Sequence, residues 1–244
     1  PFGLGRITRD DTDAVTGIIE QKDASAEQRK INEINSGIIC ADKKQLVTWL
    51  SQISNDNVQK EFYLTDVVAL AYAAGNPIAA LHPDINSEVT GINSRVQLAE
   101  VERLFQTEQA ERLMNDGVTI MDPSRIDLRG DIEIGCDSVI DVNVVLQGKV
   151  KIGKHVYIAP NCIITDSILA DNVTVHANTV IEGAELGRSV NVGPFARLRP
   201  GTKLADDVKI GNFVETKNAQ LDVGAKVNHL SYVGDATVGS NTNI

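Results

Sequence analysis

Five polar side chains interrupt a run of valines, glycines and small residues in the last fifth of the chain: Arg199, Lys217, His229, Tyr232 and Asn243. Arginine and lysine together suit a phosphorylated ligand, because a guanidinium offers a planar fork of donors and an ammonium offers a point charge. A nearby histidine is the natural general base near neutral pH. These residue types therefore indicate proton transfer on a phosphorylated substrate.

Each of these residues also has a structural interpretation. Arg199 and Lys217 could be solvated surface charges, which is the usual role of these residue types. His229 taken alone would more often be structural than catalytic. Tyr232 could be a packing aromatic with its hydroxyl in water. The residues by themselves leave these alternatives open.

A zinc site is the competing chemical interpretation. His155, His176 and His229 are separated by 21 and 53 positions, with no close histidine pair. A three-histidine site would have to be assembled across distant segments, so the spacing does not support it. His155 and His176 are interpreted as surface residues of ordinary repeats.

The element that must position the five polar residues is a repeat. Aliphatic residues recur at steps of six, and sometimes five, from position 134 to the end of the chain: Ile134, Ile140, Leu146, Ile152, Ile158, Ile164, Leu169, Val175, Ile181, Leu186, Val192, Leu198, Leu204, Ile210, Leu221, Val227, Val233, Val238 and Ile244. Glycine often follows the aliphatic residue. The pattern predicts a hexapeptide-repeat parallel β-helix in which each aliphatic side chain points inward and stacks on the next coil.

Two further expectations follow from this repeat. The pattern lapses at NFVETKNAQ, between Ile210 and Leu221, which predicts an inserted or bulged loop. A prism of stacked coils has flat faces and no natural cavity. Such domains commonly make their sites by packing side by side, so we expect a homotrimer.

The first part of the chain, residues 1–93, has a different pattern. Short β-rich apolar runs predict strands at 15–19, 36–41 and 78–82. Apolar residues at helical spacing predict helices at 43–53 and 63–75. The alternation of strands and helices suggests an α/β domain with a sheet flanked by helices.

A long amphipathic helix is predicted over residues 94–117, as a linker between the two domains. Ser94 with Gln97 three residues later forms a capping box, and Gly117 follows the end of the helix. The predicted apolar stripe comprises Leu98, Val101, Leu104, Phe105 and Leu113. The predicted organisation is thus a domain over 1–93, a linker helix over 94–117 and a repeat domain over 118–244.

Composition excludes several classes of function. The net charge is −10 and there is no basic run, which argues against nucleic acids and anionic membrane surfaces as partners. No stretch approaches the roughly 18 apolar residues of a membrane span. The 3 cysteines are odd in number and far apart, which argues against a disulfide framework and for the reducing cytoplasm.

The combination of segments resembles a known bacterial family, the bifunctional N-acetylglucosamine-1-phosphate uridyltransferases / glucosamine-1-phosphate N-acetyltransferases. The likeness covers the whole chain. It rests on GLGRI (3–7), VTGIIEQKDA (15–24), INEINSG (31–37), FYLTD (62–66), EVTGINSR (88–95), PFARLRPG (194–201), IGNFVETK (210–217) and NHLSYVGDA (228–236).

The resemblance implies two reactions and a fold for each. A left-handed parallel β-helix would transfer an acetyl group from acetyl-CoA to the amine of glucosamine-1-phosphate. A nucleotidyltransferase-like α/β domain would couple N-acetylglucosamine-1-phosphate to UTP, giving UDP-N-acetylglucosamine and pyrophosphate. That sugar nucleotide feeds peptidoglycan and lipid A synthesis.

The resemblance also implies roles for the five polar residues. His229 in NHLSY matches the general base that takes a proton from the sugar amine. Arg199 and Lys217 match residues that hold the sugar phosphate. Tyr232 and Asn243 match further sugar-binding positions.

For the uridyltransferase, the resemblance implies a second set of residues. Gly5, Glu20 and Asn35 match positions that hold the N-acetylglucosamine moiety, and Asn93 matches a ligand of Mg²⁺. Taken singly, Glu20 reads as a surface acid at a strand end and Asn35 as a turn residue. The family's glycine-rich nucleotide-binding loop would precede Pro1, and its acetyl-CoA-binding coils would follow Ile244, so the resemblance implies that the chain is a fragment.

Two other functions fit the same pattern. One is a relative that keeps only the acetyltransferase. The other is a non-catalytic trimeric assembly protein with the same two-domain build. The presence of Glu20, Asn35 and Asn93 counts against the first, and that of His229 and Lys217 against the second.

Overall fold

The structure is a computed structural model that describes residues 3–244, with the backbone alone at positions 86 and 87. It divides into two compact units, Pro1–Asn93 and Ser94–Ile244. The second unit therefore includes the long helix together with the repeats.

Over its described residues, 3–93, the first unit contains one antiparallel pair of strands and two α-helices. Strand β1 is Arg6–Arg9, β2 is Val15–Ile19, helix α1 is Lys43–Leu50 and α2 is Asp66–Ala73. A 3₁₀ turn lies at Gln28–Lys30 and another at Asn86–Val89. Trp49, Val67 and Ala71 form a small core between the two helices. The predicted strand at 15–19 is confirmed, and both predicted helices are confirmed with shorter bounds.

The strands predicted at 36–41 and 78–82 are wrong. Within residues 3–93, β1 and β2 are the only strands that pair with one another. A strand requires a neighbour for its backbone N–H and C=O groups, and an apolar run requires a surface on which to pack. Ile38 is 75% exposed and Leu81 is 94% exposed, so neither run has such a surface here. The predicted sheet flanked by helices is a two-stranded ribbon on which α2 packs.

The second unit begins with helix α3, Arg95–Asn115. Ser94 Oγ accepts a hydrogen bond from the backbone N–H of Gln97 at 3.1 Å, and Gly117 follows the helix with a φ of +92°. A side-chain cap at the first residue and a left-handed glycine beyond the last one satisfy backbone groups that the helix leaves unpaired. The predicted cap at Ser94 and the predicted glycine beyond the helix end are therefore confirmed.

The face on which α3 packs differs from the predicted stripe. Gln106, Ala110 and Leu113 are buried, whereas Leu104 and Phe105 are about half exposed, at 52% and 47%. The reason is a polar contact. The side chain of Gln106 donates to the carbonyl of residue 128 at 2.9 Å and accepts from its N–H at 2.8 Å, which fixes the rotation of the helix on the coils.

The remainder of the second unit is a stack of short parallel strands with three faces. The first face consists of β3 Thr119–Ile120, β5 Val139–Ile140, β7 Tyr157–Ile158, β10 Thr174–Val175, β13 Asn191–Val192, β16 Lys209–Asn212 and β19 Lys226–His229. The second face contains β8 Ile163–Thr165, β11 Val180–Glu182, β14 Arg197–Leu198, β17 Glu215–Lys217 and β20 Tyr232–Gly234. The third face contains β9 Ile168–Leu169, β12 Glu185–Leu186, β15 Lys203–Leu204, β18 Gln220–Leu221 and β21 Thr237–Val238.

Two longer strands begin the stack. β4, Ile126–Ile134, follows a 3₁₀ turn at Pro123–Arg125 and pairs along its whole length with β6, Val144–Ile152. β6 then pairs with both β8 and β9, so the second and third faces separate only after it. Every strand pair in the stack is parallel.

The predicted hexapeptide repeat is confirmed. The aliphatic residues of the series are at most 7% exposed, except Ile134, which is partly buried, and Ile244, which is 50% exposed. They form one continuous core with the residues of the turns. Because each coil buries its apolar side chains only against its neighbours, this core belongs to the stack and not to any single coil.

The loop predicted between Ile210 and Leu221 is wrong. Thr216 occupies the expected inward position, with Leu198 and Val233 as its partners on the adjacent coils, and it is fully buried. Its Oγ1 lies 3.0 Å from Oγ1 of Thr202, so the two hydroxyls satisfy each other inside the core. The series therefore runs unbroken through this region, with a threonine in place of an aliphatic residue.

One corner of the stack changes its chemistry along its length. The residues at this corner all have a positive φ: Asn143, Asn161, Asn178, Phe195, Phe213 and Leu230. The first three stack as a ladder of amide hydrogen bonds of 2.9 and 3.3 Å. The rings of Phe195 and Phe213 then stack with centroids 5.3 Å apart. The corner lies between the first and second faces. We call its last three residues, Phe195, Phe213 and Leu230, the apolar corner.

Candidate functional site

Three of the five predicted polar residues lie on the second face of the stack. Glu215 pairs in register with Tyr232, and Lys217 pairs with Gly234 on the next coil. The backbone N–H of Arg199 donates to the carbonyl of Thr216 at 2.9 Å, which places Arg199 beside Lys217 on the preceding coil. Since adjacent strands are about 4.8 Å apart, the two cationic side chains leave the same face as neighbours.

The two cations differ in their partners. Arg199 Nη1 donates to Glu215 Oε1 at 3.0 Å, with each side chain a little over one third exposed. Lys217 is exposed and takes part in none of the ion pairs found within residues 3–244. The pair therefore combines one held guanidinium with one ammonium that a ligand can reach. A phosphate group suits such a pair because it accepts from both kinds of donor.

His229 lies at the end of β19 on the first face, opposite Asn212 in register. Its imidazole is exposed and makes no hydrogen bond to another residue in the described part of the chain. The chain then turns through Leu230, whose φ is +51°, and reaches Tyr232 three positions later on the second face. The predicted base and the predicted phosphate-holding residues thus lie on either side of the apolar corner.

Asn243 lies on the first face, one coil beyond β19. It pairs with Lys226, and its Oδ1 accepts from Asn228 Nδ2 at 2.5 Å. Asn243 is level with Lys226, which lies three residues before His229 in β19. Along the strand direction, the two positions are therefore about 10 Å apart. The structure therefore places His229 and Asn243 on one face and the other three predicted residues on the next.

Three of the four residues predicted in the first unit are brought together. The backbone N–H of Asn35 donates to the carbonyl of Gly5 at 3.0 Å. A Cβ at position 5 would lie 3.5 Å from both carboxylate oxygens of Glu20 and 3.0 Å from the side chain of Ile18. The lack of a side chain at Gly5 thus lets the chain pass close to the carboxylate of Glu20.

A threonine that had no predicted role completes this cluster. Thr65 Oγ1 donates to Glu20 Oε1 at 3.0 Å, and Thr65 is itself buried. Asp66 follows, and burial, together with the nearby charges of Asp23 and Glu20, raises the pKa of its carboxyl. The only sequence signal for Thr65 is its place in the segment FYLTD. The contact depends on a fold that brings residues 20 and 65 together.

The predicted Mg²⁺ ligand is the last residue of the first unit. The Asn93 side chain is exposed, and its amide oxygen is a ligand of the kind that Mg²⁺ binds. Mg²⁺ is usually held by one or two protein oxygens together with waters and substrate phosphates, so a single amide fits as one ligand. Among the described residues there is no group of three or more His, Cys, Asp and Glu side chains that could hold a metal by itself.

The histidines that a zinc site would need are not gathered. His176 Nε2 lies 3.0 Å from the side-chain oxygen of Asn191 on the first face. His155 is exposed at a turn with a φ of +55°. Both histidines belong to ordinary coils of the repeat, as the sequence suggested.

The fold defines the class: the second unit is a parallel β-solenoid built from hexapeptide repeats. Residues 128–221 match the family described as the GMPPB C-terminal domain. Within the described residues, no helix is both long enough and apolar enough to cross a membrane.

The sequence comparison is more specific. All 244 residues align at 52% identity with the bifunctional protein GlmU of Marinobacter nauticus, and equally with those of Alkalilimnicola ehrlichii and Idiomarina loihiensis. The alignment covers 54%, 53% and 54% of these proteins, so the chain spans about half the length of the curated relatives it matches. The family resemblance read from the motifs is confirmed.

Solved structures resemble part of the chain only weakly. A UDP-N-acetylglucosamine acyltransferase of Francisella novicida aligns with a TM-score of 0.33 and 12% identity, over 52% of this chain and 60% of that one. A putative acetyltransferase of Bacillus cereus aligns with a TM-score of 0.24 and 16% identity, over 52% and 77%.

Proposed function

We propose that the second unit transfers an acetyl group from acetyl-CoA to the amine of glucosamine-1-phosphate. The observation that carries this proposal is the pair of adjacent cations, Arg199 and Lys217, next to a corner beyond which His229 is exposed. The 52% identity to proteins named as bifunctional GlmU supports the same reaction.

In the proposed reaction, Arg199 and Lys217 hold the sugar phosphate, and Tyr232 and Asn243 bind the sugar. A ring nitrogen of His229 takes a proton from the sugar ammonium, because an ammonium has no lone pair with which to attack. The amine nitrogen then forms a bond to the thioester carbonyl carbon while the carbon–sulfur bond breaks. The coenzyme leaves as a thiolate, and the second proton that the nitrogen loses as the amide forms converts this thiolate to the free thiol.

The first unit is proposed to belong to a nucleotidyltransferase-like α/β domain that couples N-acetylglucosamine-1-phosphate to UTP. The hydrogen bond from Asn35 to Gly5, and the space beside the Glu20 carboxylate that the missing side chain of Gly5 leaves open, support a shared surface for the N-acetylglucosamine moiety. Asn93 would supply one oxygen to Mg²⁺, and the ion would neutralise phosphate charge when bound. Glu20 would accept hydrogen bonds from the sugar while Thr65 holds its carboxylate.

The same proposal includes the oligomeric state and the cellular location of the protein. The flat faces of the solenoid and the position of the candidate residues at a corner favour a homotrimer in which neighbouring copies enclose the site. The long helix, with residues 94–117, would link the two catalytic domains. The wide spacing of the cysteines supports a cytoplasmic location.

Two alternatives make different predictions. An acetyltransferase-only relative would release thiol from acetyl-CoA but would not form UDP-N-acetylglucosamine. A non-catalytic assembly protein would do neither, although it would still form a trimer.

The deciding experiment measures thiol release from acetyl-CoA in the presence of glucosamine-1-phosphate, with the chain as printed and with a form extended to the length of its relatives. His229→Asn should lower the rate by about 10²–10⁴-fold, the range for a general base. His155→Asn, a matched change at another exposed histidine, should leave it unaltered. A folded, trimeric, extended chain that releases no thiol would exclude the acetyltransferase proposal.

A further inference from the structure

We propose that Gly234 is a positioning residue for the acetyltransferase site, because its missing side chain makes the space that the Tyr232 ring occupies. This assignment rests on the proposed function and adds a residue to it. A Cβ built on Gly234 would lie 2.6 Å from Cζ and 2.7 Å from Cε1 of Tyr232, and nearest of all to its hydroxyl oxygen. Side-chain atoms do not approach so closely, so any other residue at 234 would displace the ring.

The backbone gives no other reason for a glycine here. Gly234 is the last residue of strand β20 and does not have a positive φ, unlike Gly224, whose φ is +69°. An L-residue could therefore adopt this conformation without strain. Glycine at 234 is required by the neighbouring ring and not by the turn of the chain.

The register shows where the ring lies. Lys217 pairs with Gly234, and Arg199 occupies the matching position on the coil before. These three residues therefore form one column that crosses the strands of the second face. Tyr232 starts one column away, level with Glu215, and its ring leans over Gly234. The ring therefore takes the place of a third side chain in the column of the two cations, next to Lys217.

This placement suits a sugar phosphate. With the phosphate on the two cations, the ring of Tyr232 offers an apolar surface for the C–H groups of the sugar, and its hydroxyl offers a hydrogen bond at the edge. Tyr232 is 61% exposed, so its ring is only lightly packed and is free to move. A methyl group at 234 would turn the ring out into solvent and remove this wall.

The test is a calorimetric titration of glucosamine-1-phosphate into four proteins: the parent chain, Gly234→Ala, Tyr232→Ala and the double variant. We expect Gly234→Ala to weaken binding by about tenfold, the loss of one good contact. We expect its thermal midpoint to stay within about 2 °C of the parent, because the displaced ring is already exposed. In the Tyr232→Ala background, Gly234→Ala should add no further loss.

Gly239→Ala is the matched control. It lies on the same coil, its φ is not positive, and a Cβ there would meet only Thr242 Oγ1 at 3.8 Å. This change should alter neither binding nor the midpoint. A crystal structure of Gly234→Ala should show the Tyr232 ring turned away from position 234.

Three results would overturn the assignment. The first is that Gly234→Ala binds glucosamine-1-phosphate as tightly as the parent does and keeps the ring in its original place. A loss of the same size in the parent and in the Tyr232→Ala background would show that glycine acts through the backbone instead. If the parent itself does not bind glucosamine-1-phosphate, in the printed or the extended form, the proposed function fails and the assignment with it.

Discussion

The guanidinium of Arg199 donates a hydrogen bond to the carboxylate of Glu215 on the next coil, with 3.0 Å between Nη1 and Oε1. Glu215 lies in register between Arg197 on one side and Tyr232 on the other. A long arginine side chain has many rotamers, and this contact selects one of them. Glu215 was not recognised from the sequence, because its role depends on the residue one coil earlier.

Replacing Glu215 by alanine tests whether this contact prepares Arg199 for a ligand. We expect glucosamine-1-phosphate to bind roughly tenfold more weakly, since a charge-assisted hydrogen bond contributes about 1.5 kcal/mol. Titration calorimetry measures the change. Glu182→Ala is the control, because Glu182 holds Arg197 at 3.1 Å in the same way and Arg197 is not one of the predicted phosphate-holding residues. Equal losses in both variants would contradict the prediction.

The hydroxyl pair in the core predicts a non-additive change in stability. Thr202 and Thr216 are 1% and 0% exposed, so Thr216→Val leaves the hydroxyl of Thr202 buried without its partner. We expect a loss of about 1–3 kcal/mol in the free energy of unfolding. The double change to valine should recover most of it, because both polar groups are then gone.

Urea unfolding followed by far-ultraviolet circular dichroism measures these values. If the double variant loses as much free energy of unfolding as Thr216→Val and Thr202→Val lose together, the two hydroxyls are not coupled.

The apolar corner predicts an unusual tolerance to substitution. Phe213 is 54% exposed and has a φ of +56°, a conformation that asparagine adopts more readily than phenylalanine does. Phe213→Asn should therefore change the free energy of unfolding by less than about 1 kcal/mol, whereas losing a core phenylalanine costs about 3–5 kcal/mol. Phe213→Ala should be less stable than Phe213→Asn. The opposite order in a denaturant titration would show that the stacked ring matters more than the backbone conformation.

The first unit should lose stability in acid through Glu33. Two hydrogen bonds from Arg9, of 2.8 and 2.7 Å, lower the pKa of the Glu33 carboxyl, and His82 at 3.2 Å adds to the effect. A carboxyl whose pKa is lowered by folding stabilises the fold at pH values above its ordinary pKa of 4.5. This contribution is lost as the pH falls through the lower pKa of the folded state. At pH 7, Glu33→Gln should destabilise the unit by about 1 kcal/mol.

The difference between parent and variant should shrink as the pH is lowered from about 4.5. Trp49 is the only tryptophan and is buried in this unit, so its fluorescence reports the unfolding. Glu27→Gln is the control, because its ion pair with Lys30 is fully solvated, with side chains 82% and 71% exposed. A parent–variant difference that stays constant down to pH 2 would contradict the assignment.

The sequence predicted most of the solenoid because its period is local. Each coil places an aliphatic side chain inward at steps of five or six, so the pattern appears without knowledge of any distant contact. The prediction failed at Thr216, where a polar side chain fills an inward position. That substitution is possible only because Thr202 lies 3.0 Å away in the core, and no local pattern reveals that distance.

The sequence by itself determined the repeat, the cap of α3 and the residue types of the candidate site, since these depend on neighbours along the chain. The tertiary structure decided which residues meet. The rotation of α3 follows from the contact of Gln106 with a strand that lies 22 residues further on. The stacking register sets Lys217 beside Gly234 and seats the Tyr232 ring next to it. These relationships join separate coils and segments, and a contact between distant parts of a chain exists only once the chain has folded.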